Sequence, residues 1–337
     1  MDKPSKHEKL QRLIFELLDN TQDEASADQI CQQLQQLWQT ESSFDLKPET
    51  ILETEGDSGL VISPTTAGMC SQGYRRVRRY LIALYQAIQD RLKQNPDQPV
   101  RILYPGCGPF APLALPLMAL FSPQQVQLHL LDFHAISIAS VKHLTAQFQL
   151  MDFVCEYHIG DAMTYHIQPD LQPDIILSEI LLAGLAREGH VAINHHLINQ
   201  APQAMLIPEQ IQLRLQLLKP EIEFATLISQ RPEHRTDLGE VFTFCREVLL
   251  DYPEQGCHYL PGESVVLPIN IDSEYHTFLF TEIKLYGQEY LREYEDGLTT
   301  PIVYPLQKGY KSGNTLAFDY QMGCSPGLVQ SQKPDDR

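Results

Sequence analysis

The sequence predicts an α/β protein in which a doubly wound, mainly parallel sheet follows a helical extension and precedes an antiparallel, barrel-like domain. Three observations carry this. Between Val100 and about Pro208, short apolar runs alternate with helical stretches, the pattern of a parallel sheet covered on both faces. Beyond Pro208 the helical signal fades and strand-like runs follow one another. Ahead of the core, apolar residues recur at helical spacing. A chain of 337 residues can bury a large core and form more than one domain. We expect a helical extension over 1–65, a ligand-binding domain over 66–208 and a β-rich domain over 209–330.

In order along the chain, "HEKLQRLIFELLDN" places Leu10, Leu13, Ile14, Leu17 and Leu18 on a helical stripe, and "ADQICQQLQQLWQT" repeats this with Ile30, Leu34 and Leu37. Both read as packing helices of a structural cap or partner surface. "TEGDSG" reads as a polar connector, and the segment from Ser63 to Gln94 as a turn followed by a long helix. The core strands are "VRILY", "VQLHLLD", "VCEYHI", "PDIILS" and "AMLIP". The β-rich part offers "IQLRLQLL", "EVFTFCREVLL", "SVVLPINI", "HTFLFTEIKLY" and "GNTLAFDYQM".

Lys plus Arg number 25 against 43 Asp plus Glu, a net charge of −18. That balance repels phosphate backbones and favours cationic ligands, so we expect no nucleic-acid partner. The seven cysteines are odd in number, scattered, and form no C-x-x-C pair, which fits reduced thiols rather than a disulfide framework or zinc site. The N-terminus lacks the apolar core of a signal peptide, and no run approaches the roughly 20 apolar residues of a spanning helix. The expectation is a cytoplasmic protein without membrane association. His190, His195 and His196 in "EGHVAINHHL" lack the spacing of a metal set, and no metal is expected.

The chemistry concentrates where the predicted core strands end. The first runs into "YPGCGPF", where Gly106 and Gly108 permit a sharp turn and close approach of a ligand to the backbone around Cys107. The second ends at Asp132, the position at which an acid binds ribose hydroxyls in doubly wound sheets. The third ends in "IGDAM", placing Asp161 and Ala162 where an adenine ring would lie, and the fourth in "LSEI" with Glu179. Any one of these acids could be a helix cap; four successive endings of this kind point to a nucleoside cofactor. NAD and S-adenosylmethionine both fit a glycine turn plus a ribose acid, and the "GDA" ending favours the second. Glu179 and Glu188 stand nine positions apart in "SEILLAGLARE", bracketing an apolar loop. Two carboxylates can grip a planar guanidinium through its several donors while the apolar loop excludes water. The bland alternative makes Glu179 a cap and leaves Glu188 paired with Arg187 or solvated.

The succession "ILYPGCG", "LLDF", "GDA" and "ILSEI" resembles the Rossmann-like class I S-adenosylmethionine-dependent methyltransferases. The glutamate pair with Gly184 between, followed by "MLIPEQIQLRLQLL", is similar to the double-glutamate loop and barrel entry of the protein arginine methyltransferases. The resemblance spans about residues 75 to 320. It implies a cofactor site of S-adenosyl-L-methionine over Gly106, Cys107, Gly108, Asp132, Asp161 and Ala162, with Arg76 at the cofactor carboxylate and catalysis by Glu179 and Glu188. It also implies a homodimer. Arg75, Arg78 and Arg79 read as a solvated basic face. The family's Thr-His-Trp loop is not matched in full: the single Trp, Trp38, lies far away, and "YHTF" with His276, Thr277 and Phe278 reads as a variant of it. The expected function is N-methylation of a guanidinium in a protein, a peptide or a small molecule. Rivals are a methyltransferase with a non-guanidino acceptor and a silent cofactor-binding regulatory partner.

Overall fold

The computed structural model describes residues 5–19, 23–46, 53–225, 234–254, 256–306 and 313–331. Helix α1 (Lys6–Leu17) opens on a capping box: Ser5 Oγ accepts from the Glu8 amide, and the Glu8 carboxylate accepts from the Ser5 amide. It is followed by α2 (Glu24–Glu41), and both predicted helices are present. Their apolar stripes join the main core. Trp38 lies edge-on to Phe148, with ring centroids 4.9 Å apart, and Ser42 bonds Ser140 at 3.0 Å.

The stretch read as a polar connector is a β-hairpin, β1 (Thr54–Gly56) and β2 (Gly59–Val61). Strands of three residues are too short to display a period, so the sequence reads as loop. Helices α3 (Pro64–Cys70) and α4 (Tyr74–Gln94) follow, split at Ser71–Gly73. α4 buries Tyr80, Leu81, Leu84, Ala87 and Ile88, as an amphipathic helix must, and buries Arg76 along with them.

The central sheet comprises β3 (Val100–Pro105), β4 (Val126–Asp132), β5 (Val154–Ile159), β6 (Ile175–Leu177) and β7 (Met205–Ile207), with α5 (Ala135–Gln147) and α6 (His190–Gln200) as crossovers. All of its ladders are parallel, and the spatial order is β5-β4-β3-β6-β7. The order reverses direction at β3, which opens the crevice used for ligands in such sheets at the strand carboxyl ends.

The β-rich part forms two antiparallel sheets. One contains β8 (Gln210–Leu218), followed by the short α7 (Pro220–Ala225), and β9 (Arg235–Cys245), followed by α8 (Arg246–Leu250). The strand expected over "EVFTFCREVLL" thus stops at Cys245, where the chain turns helical and buries Leu249. The other sheet starts with β10 (Tyr259–Val266), which ends before the predicted "LPINI" because Pro268 cannot donate to a ladder. β11 (His276–Tyr286), β12 (Glu289–Leu291) and β13 (Ile302–Val303) complete the first sheet; β14 (Thr315–Gln321) and β15 (Gly327–Ser331) complete the second. The sheets are stitched by close packing: Phe242 on β9 stacks on Tyr320 on β14 at 4.8 Å, and a Cβ on Gly262 would lie 2.4 Å from the Val241 carbonyl.

Replacing Trp38 with alanine removes a fully packed indole from the joint between the N-terminal helices and the core. The expected cost is about 3–5 kcal/mol, read by urea unfolding followed in the far-ultraviolet circular dichroism.

Candidate functional site

Because the sheet is parallel and its order is known, the four strand endings lie side by side in the sequence Asp161, Asp132, Gly106 to Gly108, Glu179 along one edge. They border a cavity of about 300 Å³. All nine residues singled out from the sequence line it: Arg76 and the glycine turn with Cys107, then Asp132, Asp161 and Ala162, and finally Glu179 and Glu188.

Gly106 and Gly108 both hold φ near +64°, the left-handed region that glycine enters without steric cost. A Cβ on Gly106 would strike Ile180 at 2.9 Å, so the turn is tight as well as left-handed. The Asp132 carboxylate is nearly buried and takes amides on both oxygens, Gly108 N on Oδ2 and His134 N on Oδ1, each at 2.8 Å. Burial pushes its pKa up while those amides pull it down. Each oxygen keeps a second lone pair, which suits ribose hydroxyls. Asp161 turns back to cap its own turn through Met163 N at 2.9 Å, presenting the Ala162 segment to the cavity. Phe133, 40% exposed, supplies a flat apolar wall next to Asp132. A left-handed glycine cradle, a buried acid with spare acceptors and an aromatic wall together fit a nucleoside with a small polar tail.

At the other end lies the acid loop. Gly184, Leu185 and Arg187 all have positive φ, 72°, 53° and 67°. For the two non-glycine residues this is strain of about 1–3 kcal/mol each, held only where surroundings over-determine it. They do. Thr281 Oγ1 accepts the Gly184 amide at 2.8 Å, the Tyr320 hydroxyl donates to Leu185 O at 2.7 Å, and Pro326 O accepts the Arg187 amide at 2.9 Å. The hairpin closes the loop from the other side: Leu60 N donates to Arg187 O at 2.7 Å, and Leu60 bridges Glu188.

Glu188 is 4% exposed, and among the described residues no hydrogen bond reaches its carboxylate. Burial first, and the nearby Glu179 charge second, push its pKa up to about 8. Glu179 is also raised, by burial and by Asp296, against the opposing Arg76 guanidinium. Arg76 Nη1 lies 3.1 Å from Glu179 Oε1 and 3.6 Å from Asp296 Oδ1, and Nη2 donates to Cys70 O at 2.8 Å. Arg76 therefore sits at the junction of the cavity and the acid loop, paired with the first glutamate.

Other expectations resolve differently. The basic face of α4 is not uniformly solvated: Arg79 is half-buried and ties α4 to the β-rich part through Glu295 at 2.8 Å and Glu289 at 3.3 Å. Arg187 pairs with Glu53 at 3.5 Å, and not with Glu188. His276 opens β11 at the surface, opposite Leu218, and does not line the cavity. The β-rich part instead contributes Asp296 from the turn Asp296–Thr299, together with Leu298 at the cavity wall. Neither Asp296 nor the hairpin is marked in the sequence, where "EDGLTT" and "TEGDSG" look like ordinary turns. Of the histidines, His190 is buried and its pKa is driven down to about 3 by that burial, while His195 and His196 bond backbone carbonyls. Among the described residues no group of three metal-ligating side chains comes together, and no helix is long and apolar enough to cross a membrane.

No family model and no curated protein matches this sequence. Among solved structures the chain is similar to the Trypanosoma brucei PRMT1 enzyme–prozyme heterotetrameric complex with AdoHcy, at 10% identity over 78% of this chain and 92% of that one, with a TM-score of 0.47. It is also similar to Arabidopsis thaliana protein arginine methyltransferase 10, in a uniquely open conformation, at 13% identity over 73% of this chain and 84% of that one, with a TM-score of 0.49.

A carboxyl whose pKa is raised on folding stabilises the protein while protonated and loses that contribution as pH rises from its ordinary value of 4.5 through about 8. Glu188→Gln cannot lose it. Relative to wild type, the variant is expected to gain stability progressively across that pH window in thermal melts; parallel curves would refute the assignment.

Proposed function

We propose that this protein is an S-adenosylmethionine-dependent N-methyltransferase acting on a guanidinium group. The observation that carries the reading is the pair of Glu188, buried, and Glu179, half-buried, on the wall of the cavity that the glycine turn and Asp132 also line, with Arg76 covering only one oxygen of one of them. Two shielded carboxylates close enough to raise one another's proton affinity are unfavourable unless a cation joins them. A guanidinium is planar, stays charged and offers several donors, so it satisfies both acids at once. S-adenosylmethionine, when bound, supplies an electrophilic methyl carbon.

The rest falls to the chain's own residues. Asp132 and the glycine turn bind the nucleoside. Leu181 and Leu182, on the wall between the acids, keep water from the carboxylates and so strengthen their hold on the cation. Glu179 and Glu188 orient the acceptor so that one nitrogen faces the methyl group, which is catalysis chiefly by positioning and electrostatics. The nitrogen that gains a carbon must shed a proton. Glu188, whose proton affinity is raised by its surroundings, is placed to receive it on a carboxylate oxygen.

Two outcomes test this. Glu179→Gln is expected to lower turnover of a guanidino acceptor by about 10²–10³-fold, the usual cost of one buried electrostatic contact to the reacting group, with S-adenosylhomocysteine affinity kept within about threefold. Isothermal titration of wild type at pH 7, with S-adenosylhomocysteine and then arginine or an arginine-rich peptide, is expected to show proton release on acceptor binding. An entering guanidinium must displace the proton from Glu188, so the apparent enthalpy should vary with the ionisation enthalpy of the buffer. Failure of both guanidino ligands to bind the nucleoside complex refutes the guanidinium reading.

A further inference from the structure

We propose that Asp296 is a positioning residue of this site: together with the Cys70 carbonyl, which takes Nη2, it draws on the Arg76 guanidinium and holds Arg76 to a single contact with Glu179, and so leaves the second Glu179 oxygen for the acceptor. The inference rests on the guanidinium reading of the two glutamates. Its basis is geometric. An arginine facing one carboxylate in a buried site takes both oxygens with two parallel N–H groups, because the bidentate fork is the stronger arrangement. Arg76 does not do so. The same nitrogen, Nη1, lies 3.1 Å from Glu179 Oε1 and 3.6 Å from Asp296 Oδ1, while Nη2 is directed to Cys70 O at 2.8 Å. Among the described residues no hydrogen bond reaches Glu179 Oε2.

The surroundings make Asp296 the group that decides this. The cluster is faced by Cys70 from α3, by Arg76 and Tyr80 from α4, by Glu179, Arg187 and Glu188 from the acid loop, by Glu53 ahead of β1, and by Asp296 from the β-rich part. Arg187 is occupied with Glu53 and largely exposed. Arg76 is thus the cation between the two acids that approach it through Nη1, Glu179 and Asp296, and removing the Asp296 charge leaves Glu179 as the acid that competes with the Cys70 carbonyl for Nη2. Asp296 is itself fixed: its side chain is 9% exposed, and Oδ1 accepts the Leu298 amide at 3.0 Å as the cap of its own turn. Gly73, which starts α4, leaves room for it, since a Cβ there would lie 2.9 Å from Asp296 Oδ2 and 2.9 Å from Arg76 Nη2.

Asp296→Asn separates the charge from the cap, because an amide oxygen still accepts the Leu298 amide and asparagine caps about as well as aspartate. The variant is therefore expected to fold. Its KM for a guanidino acceptor should rise about tenfold with kcat changed less than about twofold, the pattern of lost acceptor binding, and Asp296→Glu, which returns the charge, should recover most of the loss. A crystal structure of Asp296→Asn without ligands should show Arg76 with both terminal nitrogens on Glu179. A wild-type KM in Asp296→Asn, or Arg76 retaining a single contact in that structure, overturns the proposal. If the wild type methylates no guanidino compound, the functional reading fails separately, and the contact between Arg76 and Glu179 in the variant still decides the role of Asp296.

Discussion

The organising constraint of this molecule is the enclosure of two carboxylates on one loop, Glu188 buried and Glu179 half-buried. Taking a single carboxylate out of water costs several kcal/mol, and a second of the same sign nearby adds repulsion. The chain meets this with the Arg76 cation and with a raised proton affinity at Glu188. It meets the backbone side of the problem with four separate clamps: β11 through Thr281, β14 through Tyr320, the turn before β15 through Pro326, and the β1–β2 hairpin through Leu60. Remove any clamp and a loop with two left-handed non-glycine residues has little reason to keep its shape.

This gives the β-rich part a role that a division into domains obscures. It holds no part of the glycine cradle. What it supplies is rigidity to the acid loop and, from the turn at Asp296, a charge at the cation. Helix α4 joins the two halves by a row of ion pairs on one face, Arg76 to Asp296 and Arg79 to Glu295 and Glu289, while its other face packs under the parallel sheet. Movement of α4 would shift the cradle end and the acid end of the cavity together.

The parts of the site legible in the sequence are those where function coincides with a local rule. Strand endings can be located from apolar runs, and residues just beyond them share one edge of a parallel sheet, so Gly106, Gly108, Asp132, Asp161 and Glu179 could be grouped without coordinates. Glu188 joined them because its loop is apolar where a surface loop would be polar. Asp296, Arg79 and the hairpin escaped for one shared reason. Their importance comes from pairings with residues more than 100 positions away, and no local period or spacing records such a pairing. The lengths of β9 and β10 were misjudged for a different reason: "CREVLL" and "LPINI" are apolar enough to resemble strands, but an adjoining helix and a proline end them.

A chain emerging from the ribosome folds by units from its N-terminal end, and the glycine turn, Asp132 and Asp161 belong to a sheet complete by Ile207. The residues that hold the acid loop, Thr281, Tyr320 and Pro326, arrive much later. During synthesis there is thus an interval in which the nascent protein already has the glycine turn, Asp132 and Asp161 set along one sheet edge while the acid loop still lacks the residues that fix its shape.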